Sequence, residues 1–364
     1  MNQSNAIIVF DDKNYLTGKA FGKIGTVIGE LCFNTALTGY QEIFTDPSYY
    51  GQLLIMNFVH IGNYGVCDND YQSLQIQPRG LIVKSIEAKF SRFKATHSLT
   101  EILEKQHIVG IQNVDTRAMV THLRTKGAMR GIISSEKIDL EFLYQQLIDT
   151  PNEFLQPLDS FVTCKHSFEL NHAGKYRVAV IDFGVKKAML HYLEQQDLYL
   201  KVFPAQATMT EINEFKPQGY FLSNGPGDPS IMNAAIQLTK DIIAQQKPIF
   251  GICLGHQLLA LAHQIPTYKL LHGHRGGNHP VKNILTGQCE ITTQNHGYGV
   301  TANEINNHPE ALISHINLND QTIEGLQYKN KKIFSVQYHP ENAPGPNDSR
   351  YLFTQFSENI KSSV

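Results

Sequence analysis

The sequence predicts an α/β protein of two domains, in which a mixed β/α N-terminal domain precedes a C-terminal domain with a mostly parallel, helix-covered sheet. Three observations support this. The chain has 364 residues, enough for two domains of ordinary size. Its second half alternates short apolar runs with helical stretches, a pattern typical of parallel sheets covered on both faces. An irregular, proline-containing segment separates the two halves.

The N-terminal half, residues 1–150, is predicted to form short strands joined by glycine-rich turns. Helical periodicity emerges late and covers residues 99–106, 116–126 and 140–148. Between residues 151 and 175 no period is sustained, so we predict a linker there, followed by the second domain over residues 176–364.

The C-terminal half contains three short apolar runs, at residues 178–181, 219–222 and 248–252. Each run leads into a turn or helix start that carries polar residues or cysteine. In parallel sheets, binding and catalytic sites form at the carboxyl ends of the strands. We therefore expect the site of this protein to be built from these three loops.

Composition excludes several classes of function. Hydrophobic residues make up 41% of the chain and charged residues 18%, as in soluble globular proteins. The net charge of -2, with no run of lysine and arginine, gives no footprint for nucleic acid. No stretch has the length needed to span a bilayer. From the charge and from this observation, we expect neither nucleic acid nor a membrane as a partner.

The five cysteines are widely spaced and include no C-x-x-C pair. This pattern argues against a disulfide framework and for a reducing compartment. The apolar run near the N-terminus is too short and too close to charged residues for a signal peptide. The expected location is the cytoplasm.

Cys253 stands in Gly251-Ile252-Cys253-Leu254-Gly255, which has the glycine spacing of a strand-to-helix nucleophile elbow. Glycines on both sides let neighbouring backbone pass close to the turn. At a helix N-terminus the helix dipole favours a thiolate, and the Leu254 amide can stabilise an oxyanion. The alternative is a buried structural cysteine at the end of a core strand.

A nucleophile of this kind needs a base, and the tripeptide His339-Pro340-Glu341 offers one. If the segment is extended, His339 and Glu341 point to the same side and can form a hydrogen bond. The histidine then reaches the thiol, as in a catalytic triad. Alone, this tripeptide also fits a surface turn, and the elbow is what favours the catalytic interpretation.

These motifs resemble those of the triad-type glutamine amidotransferases. The resemblance rests on the elbow GICLGHQ, the upstream loop SNGPGDP and the downstream HPE, which occur in the family's order. It becomes more specific with GHRGGNHPV, QNHGYGV and HPENAPGPND, and with FNTALTGYQEIFTDPSYYGQ, IGNYG and GIQNVDTRAMVTHLR in the first half. Over nearly its whole length the chain resembles the small subunits of carbamoyl-phosphate synthetase.

The resemblance implies that Cys253 is the nucleophile, His339 the base and Glu341 the residue that orients the base. It further implies a set of glutamine-binding positions, which are Ser48, Gly225, Gly227, Leu254, Gln257, Asn295, Gly297 and Tyr298. Ser48 belongs to the first domain, so a pocket near the domain interface is expected. The family usually has phenylalanine at the position of Tyr298, a change that keeps the ring.

The resemblance implies hydrolysis of L-glutamine to glutamate and ammonia. The ammonia would pass to a large synthetase subunit that makes carbamoyl phosphate from bicarbonate and ATP, for arginine or pyrimidine biosynthesis or both. The chain lacks a G-x-x-x-x-G-K-[ST] loop, so no cofactor is expected here. The resemblance implies that ATP is used by the partner subunit. A stand-alone cysteine hydrolase and a non-catalytic binding module remain alternative functions.

Two further groups of polar residues are interpreted without assigning them to catalysis or to metal binding. His272, His274 and His279 match no standard ligand spacing, so we expect polar contacts in a loop and no metal. A second group lies on a predicted helix and forms either a solvated face or a contact with the partner subunit; it consists of Asp115, Arg117, His122 and Arg124.

Overall fold

The structure, a computed structural model, describes residues 4–306 and 308–364. The chain divides into two compact units. The N-terminal unit comprises Met1–Glu153 with Leu271–Arg275, and the C-terminal unit comprises Phe154–Leu270 with Gly276–Val364. Among the helices of the described residues, none is both long enough and apolar enough to cross a membrane.

The N-terminal unit is built mainly of short strands. Its strands are β1 (Asn5–Phe10), β2 (Tyr15–Gly22), β3 (Thr26–Asn34), β4 (Leu53–Met56), β5 (His60–Ile61), β6 (Gly80–Ile82), β7 (Ser85–Ile86), β8 (Val109–Gln112) and β9 (Arg130–Ser134). Its helices are α1 (Tyr40–Phe44), α2 (Leu99–Lys105), α3 (Thr116–Lys126) and α4 (Leu140–Asp149). The strands close into a barrel in the order β1-β2-β8-β6-β4-β3-β9, while β5 pairs with β7.

Local capping explains where the helices of this unit begin. The Ser98 side chain accepts a hydrogen bond from the Glu101 amide, and the Glu101 carboxylate accepts one from the Ser98 amide, which forms a capping box for α2. Asp115 and Asp139 cap α3 and α4 in the same position. The three helices predicted from periodicity are therefore present and begin at the predicted residues.

The C-terminal unit alternates strands and helices through most of its length. Its strands are β10 (Phe168–Leu170), β11 (Tyr176–Asp182), β12 (Leu198–Pro204), β13 (Gly219–Leu222), β14 (Ile249–Ile252), β15 (Thr267–Asn283), β16 (Cys289–Val300), β17 (Ala311–Asn317), β18 (Ile323–Tyr328) and β19 (Ile333–Val336). Its helices are α5 (Asp159–Val162), α6 (Lys187–Glu194), α7 (Met209–Glu214), α8 (Asn233–Ile243), α9 (Leu254–Ala262), α10 (Ala302–Asn306) and α11 (Tyr351–Lys361). Of β15, the segment Leu271–Arg275 is counted with the N-terminal unit.

One sheet, in the order β10-β12-β11-β13-β14-β19-β18-β17-β15-β16, organises this unit. The pairs from β12 to β19 are parallel, and β18 and β17 extend the sheet in antiparallel fashion. The three apolar runs of the sequence are β11, β13 and β14 in the parallel core, and their side chains are buried. The predicted α/β fold is confirmed.

The pairing of β14 with β19 positions the site. These strands are parallel, and Ile252 pairs with Val336 at their carboxyl ends. The residues that follow each strand therefore leave the sheet side by side. Cys253 follows the first of these strands, and the segment containing His339 follows the second.

Two segments differ from the sequence interpretation. His272, His274 and His279 lie within the long strand β15 and not in a loop. The segment mixes histidine, glycine, asparagine and proline without the alternation that signals a strand. Residues 151–175 contain α5 and β10, and β10 pairs with β12 at the edge of the sheet.

Candidate active site

Cys253 occupies a strained turn between β14 and α9. Its φ of 54° and ψ of −103° lie outside the regions that non-glycine residues favour. The backbone amide of Cys253 donates a hydrogen bond to the Val336 carbonyl at 2.9 Å, which ties the turn to β19. The residue is the N-cap of α9, so its sulfur lies at the positive end of that helix.

Gly251 and Gly255 make this turn possible because neighbouring backbone occupies the space that a side chain at either position would need. A Cβ on Gly255 would lie 2.3 Å from the Leu222 carbonyl oxygen, and one on Gly251 would lie 2.8 Å from backbone of Gly255. Real Cβ atoms do not approach backbone so closely. The two glycines of the predicted elbow are thus required by packing at the ends of β13 and β14.

His339 lies next to the strand β16. Its amide donates to the Thr293 carbonyl at 2.9 Å in an isolated antiparallel bridge. Residues 340 and 341 then form a turn, so the extended segment expected from the sequence ends at His339. The turn still directs both side chains together, with His339 Nδ1 2.8 Å from Glu341 Oε1.

Lys186 completes this cluster, and the sequence analysis did not single it out. Its Nζ lies 2.8 Å from Glu341 Oε1 and donates to the Ala343 carbonyl at 2.9 Å. The Lys186 side chain is 1% exposed and that of Glu341 is 0% exposed. The signal for it in the sequence is its place just after the carboxyl end of β11, because sites in parallel sheets form at such strand ends.

The charges in the cluster support one another. Burial alone would raise the pKa of Glu341, but the nearby Lys186 and His339 lower it to about 2. Burial alone would lower the pKa of His339, but the Glu341 carboxylate and the Cys253 thiol raise it to about 10. At neutral pH the resting site therefore holds an ionised glutamate and a protonated histidine.

The thiol of Cys253 contacts the strand β16 and interacts with His339. Its Sγ is 3.5 Å from the Asn295 carbonyl oxygen, and the side chain is 2% exposed. The imidazole Nε2 of His339 is buried and has no hydrogen-bond partner of standard geometry among the described residues. A thiol, an imidazole and a carboxylate arranged in this spatial order can perform nucleophilic addition followed by proton transfer.

Gln257 and Tyr298 meet beside the elbow. Gln257 lies one turn into α9, and its side-chain nitrogen donates to the Tyr298 carbonyl and to Gln337 Oε1, both at 3.0 Å. Asn295, Gly297 and Tyr298 all belong to β16. Of the predicted glutamine-binding positions, these residues cluster with Cys253.

Gly225 and Gly227 lie in the loop after β13. A Cβ on Gly225 would lie 2.2 Å from the Phe183 carbonyl oxygen and 2.7 Å from a side-chain carbon of Leu254, so this loop reaches the start of α9. Gly227 has a φ of +97°, which favours glycine. Leu254 is the first residue of α9, where a backbone amide has no partner within the helix.

Ser48 belongs to the N-terminal unit. It lies in the 3-10 turn Pro47–Tyr49, and its amide donates to Asp46 Oδ1 at 2.9 Å. Its predicted role in binding glutamine stays a prediction.

Two family models match the chain in separate regions. The family described as "Glutamine amidotransferase class-I" matches residues 179–359, which include the whole cluster around Cys253. The family described as "Carbamoyl-phosphate synthase small chain, CPSase domain" matches residues 8–133.

Curated relatives match over almost the full length. A carbamoyl phosphate synthase small chain from Aquifex aeolicus is 43% identical, with 97% of this chain and 98% of the relative covered. One from Syntrophotalea carbinolica is 44% identical, with 97% of each chain covered. One from Chlorobaculum tepidum is 43% identical, with 98% of each chain covered.

Proposed function

The chain belongs to the family of carbamoyl phosphate synthase small chains, and from that membership we propose that it hydrolyses glutamine at Cys253 for a separate synthetase chain. The observation that carries the proposal is the cluster in which the elbow cysteine, His339 and Glu341 lie together, buried, at adjacent strand ends. Family membership provides the substrate, and the cluster provides the chemistry.

The first half of the proposed reaction forms a thioester. The Cys253 thiolate adds to the side-chain amide carbon of glutamine, and the carbonyl electrons move to the oxygen. Backbone amides of Leu254 and Gly227 stabilise the oxyanion. Protonated His339 then transfers its proton to the amide nitrogen, the carbon–nitrogen bond breaks, and ammonia leaves.

The second half releases glutamate. His339, now neutral, accepts a proton from a water molecule as the water attacks the thioester carbon. The carbon–sulfur bond breaks, and the Cys253 thiolate and the imidazolium are restored. The net reaction converts glutamine and water to glutamate and ammonia.

The remaining residues have proposed roles in holding the substrate. Gly225 and Gly227 allow close backbone approach, and Gln257 is a hydrogen-bonding group for the amino-acid end of glutamine. Asn295, Gly297 and Tyr298 on β16, together with Ser48, complete the proposed binding set. No metal or cofactor is needed for these steps.

The proposed partner is a large synthetase chain that consumes the ammonia and uses ATP to make carbamoyl phosphate. This division of labour gives a direct test with Cys253→Ala in the complex with the large chain. We expect carbamoyl phosphate synthesis from glutamine to fall by at least about 10³-fold, a magnitude typical of nucleophile removal. Synthesis from added ammonia should stay within about twofold.

The same experiment separates the alternatives. Loss of both activities in an intact complex contradicts the proposed role of Cys253. Isolation of the native chain without any large ATP-using partner favours a stand-alone hydrolase. Continued glutamine hydrolysis by Cys253→Ala refutes the proposed nucleophile.

A further inference from the structure

We propose that Lys186 is a positioning residue of the glutamine site: its buried ammonium keeps Glu341 ionised and in place, and Glu341 in turn orients His339. This inference rests on the proposed function, because it extends the roles given there to His339 and Glu341. The mechanism proposed above gives Lys186 no direct role on the thiol or the substrate.

The contact geometry makes Lys186 a partner of the orienting atom itself. Glu341 Oε1 lies 2.8 Å from His339 Nδ1 and 2.8 Å from Lys186 Nζ. The two cations thus share one carboxylate oxygen, so both contacts depend on the position of that one atom. Glu341 Oε2, by contrast, has no hydrogen-bond partner among the described residues.

Lys186 also holds the turn that carries the glutamate. Its second hydrogen bond, to the Ala343 carbonyl at 2.9 Å, fixes the backbone two residues beyond Glu341. One side chain therefore restrains both the carboxylate and the chain that presents it.

The backbone of Lys186 is itself held rigidly. Asp182 Oδ1 accepts hydrogen bonds from the amides of Gly184 and Val185 at 2.9 Å and 2.7 Å, which forms a tight turn after β11. Lys186 follows this turn as the N-cap of α6. The backbone that carries the ammonium is thus held by hydrogen bonds on its N-terminal side and by the start of α6.

Electrostatics explain why a cation is needed there. A buried carboxylate without a cation would take up a proton, and a protonated Glu341 would not stabilise imidazolium. The groups that act on the charge of Glu341 are Lys186 and His339. Those that act on His339 are Glu341, Cys253 and Lys186.

A simple structural ion pair is the alternative, and the pH dependence of glutamine hydrolysis distinguishes the two. In Lys186→Met, Glu341 loses the cation that lowers its pKa, so it becomes protonated at higher pH. We expect the acidic limb of the kcat/KM profile to move to higher pH by at least one unit. At the acidic end of the profile, kcat/KM should fall at least tenfold. Lys186→Arg keeps the charge and should leave the limb within about half a unit of its wild-type position.

A double-mutant cycle tests whether Lys186 acts through Glu341. In the Glu341→Gln background, Lys186→Met should change kcat/KM by less than about twofold and should leave the acidic limb unmoved. An equal loss in both backgrounds overturns the proposal, as does a Lys186→Met profile that matches wild type. A uniform loss at every pH, with no limb shift, assigns Lys186 a structural role only and also overturns it.

All variants are assayed as full chains in the complex with the large chain, and synthesis from ammonia verifies that each complex is intact. If Lys186→Met alone does not fold, the double variant with Lys186→Met and Glu341→Gln tests the proposal instead, because it removes both charges of the ion pair. A more than tenfold difference between it and Glu341→Gln overturns the proposal. Cys253→Ala separates the hypotheses: its continued hydrolysis of glutamine refutes the proposed function, whereas an inactive Cys253→Ala beside a wild-type-like Lys186→Met refutes only the role of Lys186.

Discussion

The carboxylate of Glu341 accepts a hydrogen bond from Nδ1 of His339 across 2.8 Å, and both side chains are fully buried. This bond decides which nitrogen of the ring is available for chemistry. With Nδ1 committed to Glu341, Nε2 is the nitrogen that can exchange a proton with the Cys253 thiol or with substrate. The following predictions depend on this arrangement.

Replacing Glu341 by glutamine should slow glutamine hydrolysis about 10²- to 10⁴-fold. An amide in place of the carboxylate can donate to Nδ1, which favours the wrong tautomer of His339 and removes stabilisation of the imidazolium. The measurement is kcat for glutamate release by the complex. Synthesis from ammonia serves as the control, and a variant within about twofold of wild type would show that Glu341 does not orient the histidine.

The same substitution should alter the pH dependence of stability. The pKa of Glu341 is lowered from 4.5 to about 2. The stabilisation of the folded protein by ionised Glu341 is therefore fully present above pH 4.5 and is lost as the pH falls through about 2. The pKa of His339 is raised from 6.5 to about 10, so its stabilisation is present below pH 6.5 and is lost as the pH rises through about 10.

Urea denaturation at a series of pH values measures this difference. The free energy of unfolding of wild type should exceed that of Glu341→Gln most between pH 4.5 and pH 6.5, where both groups stabilise the folded state. The difference should narrow at lower and at higher pH. Glu358→Gln, at an exposed position of α11, is the control. A gap that does not change with pH contradicts the predicted titration.

Gly255→Ala should destabilise the protein by roughly 1–3 kcal/mol, the usual cost of overpacking. The added Cβ would lie 2.3 Å from the Leu222 carbonyl oxygen, and backbone cannot yield there without moving the elbow. Gly277→Ala is the matched control, since the nearest atom to its Cβ is 3.8 Å away. Equal stability of the two variants, measured by urea denaturation, would show that the elbow tolerates a side chain.

A glutamine analogue that alkylates thiols should label Cys253 in preference to Cys289. Cys289 is exposed, whereas Cys253 is buried, so a simple alkylating reagent is expected to show the opposite order. Peptide mapping by mass spectrometry identifies the labelled residue, and excess glutamine should protect it. Labelling of Cys289 by the analogue would indicate reaction by exposure alone, without recognition of glutamine.

Lys186→Met should lower the free energy of unfolding by roughly 3–5 kcal/mol, the range found when one partner of a buried ion pair is removed. The loss arises because Glu341 stays buried with only one of the two cations that share its carboxylate oxygen. Adding Glu341→Gln should recover part of the loss. If the double variant is less stable than Lys186→Met, the unpaired charge is not the cause.

Local patterns were sufficient to predict much of the C-terminal unit. The apolar runs that end before Cys253 and before the loop of Gly225 are strands of the parallel core, because a strand buried on both faces leaves a short continuous apolar signal. Family membership, predicted from the motifs around Cys253 and His339 and from those of the first half, is confirmed by the relatives.

Other features depend on contacts that a local pattern does not contain. The closing of the N-terminal strands into a barrel joins β1 to β9, and no local signal specifies that pairing. Lys186 is distant in sequence from Glu341, and a lysine after a strand is ordinarily a solvated residue. The burial of both side chains and the distance between them identify the pair.

Capture of the covalent intermediate tests whether Cys253 is the nucleophile. The complex is mixed with radiolabelled glutamine, quenched in acid during turnover, digested and mapped. We predict label on the peptide containing Cys253, released by hydroxylamine as expected of a thioester, and absent from Cys253→Ala. Label on another residue, or continued glutamine hydrolysis by Cys253→Ala, would contradict the assignment of the nucleophile.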